Sequence, residues 1–347
     1  MRPSLRPGVQ VWWRRIDAVQ LRVGSTSQLV SGLPLGSATL FRLLDGTHDL
    51  RDLVTIVNSS TGLERQRVLD VVETLSRAGF LYDAGALPRL NSLTPLARER
   101  LRAEALSWID GTDAASVLER RRLAHVRVLT CDAATVATAL LLAASGVGRF
   151  SVAAGQHEPE LIEAADVLPG GLPAGALGTA RADAVRSALV ELGAGLQPRQ
   201  SRAAADFALV GAAESATAPE QRFTLDIPYV TTAVFGRTAL VGPLVIPGIT
   251  ACAVCESLSR AERDAALDHD ASDDGLRPAG SSVSAVTATQ LAAVHAAVAV
   301  LEYLDGAEPG RLPALAGHLL ELQLPGPQLQ LSLVRPHPRC GCCWDAA

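Results

Sequence analysis

The chain of 347 residues contains no lysine: every one of its 31 basic residues is arginine. Schiff-base catalysis and a phosphate-binding lysine are therefore excluded. Aromatic residues make up only 4% of the chain and there is a single methionine, so a large core must be built from aliphatic side chains. The first 15 residues, MRPSLRPGVQVWWRR, hold no apolar run of the length a signal-peptide core requires. The best membrane candidate, Val283 to Leu304, is mostly alanine and carries Gln290, His295 and Glu302, so it reads as a buried helix rather than a span. A cytoplasmic protein is expected. Net charge is −5, which leaves no general footprint for nucleic acid.

What the chain does have is uneven. Residues 1–125 hold 17 Arg against 13 acidic residues, +4, while the remainder carries −9. A composition that is 48% hydrophobic and 19% charged suits globular structure, and the length suits two domains.

The opening pattern is strand-like in three short runs, Val9–Arg14, Val19–Val23 and Gln28–Val30, with Gly24-Ser25 as a hairpin turn. The apolar period then lengthens. Ser37 is expected to cap a first helix and Asp49 a second, the latter carrying Leu50, Leu53, Val54 and Val57. A third places Val68, Val71, Val72 and Leu75 on one face, and Phe80-Leu81-Tyr82 closes the unit as a strand. This order predicts a winged helix-turn-helix over residues 1–90, an α+β domain. The polar side of its third helix offers Glu64, Arg65, Gln66, Arg67, Asp70, Glu73 and Arg77, which is neutral overall and poorly suited to phosphates. A peptide added as an extra strand beside Gln28, Leu29 and Val30 fits better. It would drop apolar side chains against Val68, Val71 and Leu75, with Arg65 and Arg67 steering its charges.

A charged helical linker, 91–122, leads into a second domain, 123–347. It begins His125-Val126-Arg127-Val128-Leu129, then an apolar helix, Gly-Val-Gly and another strand: the opening of a Rossmann-type βαβ unit. A helix over Ala182–Leu192, a strand at Phe207–Val210 and one or two strands within Tyr229–Val245 continue the alternation. A nucleotide-binding turn needs glycines for close backbone approach. Here the turn is Thr130-Cys131-Asp132-Ala133-Ala134, whose carboxylate would repel phosphate. The second strand runs into Ala153-Ala154-Gly155, without an acid for a ribose, and no cation lies between Arg149 and Arg181. ATP is not expected as a ligand.

Six cysteines, at 131, 252, 255, 340, 342 and 343, are clustered rather than spread. Cys252 and Cys255 form one CxxC pair, and Cys340 and Cys343 form a second. Together they supply the four thiolates of a structural zinc site, with Cys342 as an alternative fourth ligand.

The phrases carry a resemblance. LPLGSATLFRLLDGTHDLRDLV followed by RVLDVVETLSRAGFL is similar to the peptide-recognition element of ribosomal-peptide modification enzymes. LLAASGVGRFSV, GTARADAVRSALVELGAGLQP and ADFALVGAA resemble the ThiF-like fold of adenylating enzymes. GPLVIPGITACAVCESLSRAERD and LPGPQLQLSLVRPHPRCGCC resemble the ThiF-like leader-peptide-binding partner proteins of azole- and azoline-forming clusters. The resemblance implies an α/β protein: a recognition element before a degenerate ThiF-like domain with a tetra-cysteine zinc site. It implies binding of a precursor's leader peptide and partnership with a YcaO-type cyclodehydratase, with no catalysis by this chain. A homodimer is a further possibility; the alternative activity is ATP-dependent adenylation.

Overall fold

The computed structural model describes residues 1–24, 26–85, 95–107, 114–153, 161–198, 205–211, 225–267, 284–306, 311–326 and 328–342. The chain divides into two compact units, Met1–Glu119 and Arg120–Ala347.

In the first unit, β2 (Gln10–Arg15), β3 (Ala18–Val23) and β4 (Thr26–Ser31) form an antiparallel meander in that spatial order. Alternation decides the faces. Val19 and Leu21 of β3 point into the core, while Trp12, Gln20 and Leu29 stand in one row on the opposite face. Three helices close over the core face: α1 (Ser37–Leu43), α2 (Leu50–Thr61) and α3 (Arg65–Arg77). Asp49 caps α2, its carboxylate accepting from the N–H groups of Arg51 and Asp52, as the sequence predicts. Ser37 does not cap α1. Gly36 is the N-cap, in a left-handed conformation at φ 97°, and Ser37 is the first helical residue, its hydroxyl donating to the Pro34 carbonyl at 2.7 Å. The closing strand β5 (Leu81–Asp83) pairs antiparallel with β1 (Pro3–Leu5), a strand with no sequence signal of its own. Helix α4 (Pro95–Ser107) and the start of α5 (Ala114–Leu123) complete this part of the chain.

The second unit is built on an eight-stranded sheet. Its parallel part holds β8 (Gly195–Leu196), β7 (Arg149–Val152), β6 (His125–Val128), β9 (Phe207–Gly211) and β10 (Tyr229–Phe235), in that spatial order. Beyond β10 the sheet turns antiparallel through β11 (Thr238–Val245), β12 (His318–Gln323) and β13 (Gln328–Leu333). All five residues of β9 are buried, as expected for a parallel strand covered on both faces. Helices α6 (Ala133–Ala144) and α9 (Val286–Leu304) pack on one another and on the sheet. Their facing residues are largely alanine, which allows close approach of the two backbones. The apolar run considered as a membrane span is thus a core helix of this unit, with Ala288, Ala292, Ala293 and Ala296 buried. Helix α7 (Arg181–Glu191) follows the second parallel strand, and α8 (Ala253–Leu267) follows β11.

One buried ion pair fastens α5 to the far end of α9. Arg121 donates twice to the Asp305 carboxylate, at 2.6 Å each, and once to the Ser145 carbonyl at 3.0 Å. Removing one member of such a pair strands the other, at about 3–5 kcal/mol when both are fully buried. Asp305 is partly open to water, so Arg121→Ala is expected to lower unfolding stability by about 3 kcal/mol in urea titration. A loss under ~1 kcal/mol would mean that water takes over the arginine's role.

Candidate functional site

In an open α/β sheet, ligands bind outside the carboxyl ends of the strands where their order reverses. Here that crevice lies between β6 and β9. The chain leaves β6 through Thr130 and Asp132 and enters α6, so the helix N-terminus, with its partial positive charge, lies at the crevice. Asp132 is the N-cap. Its Oδ1 accepts from the Thr135 N–H at 3.1 Å, and its Oδ2 accepts from the hydroxyls of Thr130 at 2.9 Å and Thr135 at 2.7 Å. The Thr130 hydroxyl in turn accepts from the Gly211 N–H at 2.6 Å, and Thr135 contacts Thr232 of β10 at 3.2 Å. The carboxylate lies across the end of β9. A Cβ on Gly211 would overlap Asp132 Oδ2, so this strand end has to be glycine. Thr130, Thr135, Gly211 and Thr232 carry no motif on their own, and sequence reading did not find them as a group.

The arginine that ends the cation-free stretch is also engaged. Arg181, the first residue of α7, donates to Asp166 Oδ2 at 2.5 Å. Of the segment after β7 that would carry a ribose acid, Ala153 is described, and residues 154–160 lie outside the described residues.

A second constellation joins the start of α8 to the C-terminal segment. The Sγ atoms of Cys252, Cys255, Cys340 and Cys342 all lie within 4.8 Å of one another. Individual separations are 3.9 Å for Cys252–Cys255, and 3.4 Å for both Cys252–Cys340 and Cys255–Cys342. A disulfide needs about 2.05 Å between sulfurs. Four sulfurs at about 2.3 Å from one zinc form a tetrahedron with edges near 3.8 Å. The arrangement therefore suits a tetrahedral thiolate-bound metal such as zinc. Cys342, the alternative fourth ligand, completes the group among the described residues; Cys343 lies outside them.

The surroundings point the same way. Burial, together with the neighbouring thiols, pushes the Cys255 thiol up to about 12 and raises Cys252 as well, so a nearby cation would favour the thiolate at both. The His337 N–H donates to Cys255 Sγ at 3.3 Å. The His337 ring accepts from the Arg339 N–H at Nδ1, 3.2 Å, which leaves Nε2 to donate to Glu262 Oε2 at 3.1 Å. Arg339 closes the loop onto the other Glu262 oxygen at 2.8 Å. Glu262 is held below the usual carboxylate range, first by the hydrogen bond from His337. Tyr229 is buried under the cluster and its hydroxyl accepts from the Ala253 N–H at 3.3 Å, fixing the start of α8.

The residues proposed for a peptide divide into two sets. Arg65 and Arg67 are exposed on α3, and Gln28 and Leu29 are exposed on β4, with Leu29 60% open to solvent. Val68, Val71, Leu75 and Val30 are buried. All four pack into the aliphatic core with Leu21, Leu40 and Leu53, because the helical period that aligns them also turns them inward. On the polar side of α3, Gln66 pairs with Asp70 and Arg77 with Glu73 along the helix.

With this geometry in hand, three solved structures are informative. The E. coli MccB structure with ATP is similar at a TM-score of 0.61 and 15% identity, covering 99% of this chain and 100% of that one. The microcin C7 biosynthetic enzyme MccB in complex with N-formylated MccA is similar at 0.62 and 15%, with the same coverage. PaaA is similar at 0.63 and 16%, covering 94% and 98%. The chain has a ThiF-like fold. No protein-family model and no curated protein matches the sequence.

The metal site generates a direct prediction. Elemental analysis of protein purified without added metal should find one zinc per chain. Cys252→Ser should lower the melting temperature of the second unit by roughly 10 °C, the equivalent of several kcal/mol. Metal-free protein with an unchanged melting temperature would contradict the assignment.

Proposed function

We propose that this chain is a non-catalytic capture protein for a ribosomally made precursor peptide. It holds the peptide's leader with a winged-helix recognition element in its first unit. The core of the peptide is then presented to a separate YcaO-type cyclodehydratase that forms azoline or azole rings from Cys, Ser or Thr. Its contribution is effective concentration: a tethered leader makes the next encounter intramolecular without any new contact at the reacting bond. The zinc is structural, and the protein works in the cytoplasm.

The observation that carries the non-catalytic half is the Asp132 carboxylate on the N-terminus of α6. A helix N-terminus favours a single anion, and a nucleotide phosphate there would meet a negative charge already hydrogen-bonded in place. The Arg181–Asp166 pair removes the second anchor. The recognition half draws support from the likeness to MccB, whose complex with N-formylated MccA holds a peptide. It also draws support from β4, which among the described residues pairs with β3 alone, so that an added strand would pair with backbone near Gln28–Val30 and touch the exposed Leu29. Arg65 and Arg67 would act on the approach of an acidic leader, more through the association rate than through final affinity.

A second reading keeps adenylation: MccB itself is seen with ATP, and the fold is shared. Asp132 weighs against it here.

The test uses the full chain and a fluorescently labelled leader from the precursor gene beside its own. Losing one apolar cross-strand contact is worth up to about 1 kcal/mol. Leu29→Glu should weaken leader binding by up to about fivefold in anisotropy titrations, whereas Val190→Glu, on the second unit, should leave it unchanged. Leader binding indifferent to Leu29→Glu would remove the β4 edge as the recognition site.

A further inference from the structure

The positive charge of the first 125 residues sits at their start. Residues 1–35 hold five arginines against one acid, Asp17, a net of +4, whereas residues 36–125 hold twelve of each. Arg14, Arg15 and Arg22 lie exposed on the β2–β4 meander, and no Asp or Glu occurs on any of its three strands. The outward face carries the row Trp12, Gln20 and Leu29, with Trp12 and Leu29 exposed. Aromatic, aliphatic and guanidinium groups on one face, without a carboxylate, have the composition of a protein–protein contact.

Two of the arginines are held in the same way. Arg14 Nε donates to Gln20 Oε1 at 2.7 Å, and Gln20 is itself fixed by donating to Ser27 Oγ at 2.8 Å. Arg22 Nε donates to the Gly24 carbonyl at 3.1 Å. Both acceptors are neutral. Among the described residues neither guanidinium meets a carboxylate, whereas Arg77, Arg121, Arg181 and Arg260 each do. Arg15 faces Asp17 at 3.9 Å. Anchoring Nε orients a guanidinium and leaves its two terminal nitrogens to donate outward. A fork oriented beforehand loses less freedom when a carboxylate binds it.

We propose that this face docks an acidic amphipathic helix of the ring-forming enzyme, whose carboxylates meet Arg14 and Arg22 and whose apolar side chains between them cover Trp12 and Leu29. That the helix belongs to this enzyme rests on the function proposed above; its chemistry follows from the face. Arg22 pairs with Gln10, and Arg14 lies four residues along β2 from Gln10, so the two arginines stand about 13 Å apart along the sheet. Acids seven or eight residues apart on one face of a helix span about 11–12 Å. Tryptophan and arginine are the side chains that most often dominate the energy of such contacts. Leu29 also borders the β4 edge offered to the leader, so the enzyme arrives beside the bound peptide. A nucleic acid fits less well, because two guanidinium groups neutralise two phosphates and give little affinity at physiological salt. A lipid surface fits less well too, because Gln20, polar and hydrogen-bonded on both sides, divides Trp12 from Leu29.

The experiment uses the full chain, the cyclodehydratase encoded beside it and a labelled leader, at about 0.15 M salt. Biolayer interferometry reads the enzyme, and anisotropy reads the leader. Arg14→Glu combined with Arg22→Glu should weaken enzyme binding about tenfold or more and leave leader binding within about twofold. Arg14→Lys, which keeps the charge without the fork, should weaken enzyme binding severalfold. Arg51→Glu, the same charge change on α2, should leave both unchanged. If the leader binds and the double variant holds the enzyme as tightly as the natural chain, the docking site is overturned while leader capture stands. If the leader does not bind but enzyme binding falls as expected, leader capture is overturned while the docking site stands. A natural chain that binds no enzyme would overturn the docking site as well. So would a chain that uses the same two arginines for phosphatidylglycerol vesicles or single-stranded RNA in the enzyme's place.

Discussion

The N-terminus of a helix at a sheet's switch point accommodates one negative charge well, and in this protein Asp132 supplies it. The rest of the crevice is arranged around that choice. Thr130 and Thr135 turn their hydroxyls to the carboxylate, Gly211 gives up a side chain so that it fits, and Thr232 closes the network from the next strand. The same crevice that could receive a ligand's phosphate becomes a packed polar joint between α6, β9 and β10. Arg181 repeats the theme, its cation satisfied by Asp166 rather than left to a ligand. On the function proposed above, a fold compatible with nucleotide chemistry is used for its shape.

The antiparallel half of the sheet is held in a different way. Four sulfurs bring the start of α8 against a segment nearly 90 residues further on, so a metal between them closes a long loop. Glu262 reinforces the closure by gripping His337 and Arg339, and the His337 N–H steadies Cys255. Tyr229 ties the same helix start back to the sheet. Each partner orients a ligand residue or its neighbour, and such support around ligands is what holds a metal site to one geometry.

Much of this was legible in the sequence where one residue type has one physical use. Asp49 ahead of an apolar period gave a helix cap, the spacing of Val68, Val71 and Leu75 gave a helix, and paired cysteines gave a metal site. What escaped the reading was whatever depends on two distant segments at once. β1 has meaning only beside β5, and Gly211 only beside Asp132. That Cys342 lies within reach of Cys255 depends on how the C-terminal turn meets α8, not on spacing. Periodicity likewise identifies the apolar face of α3 without naming the core residues that cover it. Gly36 shows the reverse case, since a left-handed glycine capped the first helix where the nearby serine had the better propensity.

The central claim is that the ThiF-like unit has given up nucleotide activation. It is tested most directly by ATP–pyrophosphate exchange, measured with the full chain, magnesium and its precursor peptide. The account predicts exchange no faster than in a reaction without protein, both for the natural sequence and for Asp132→Asn. Exchange that requires the peptide and is lost on Arg181→Ala would contradict it.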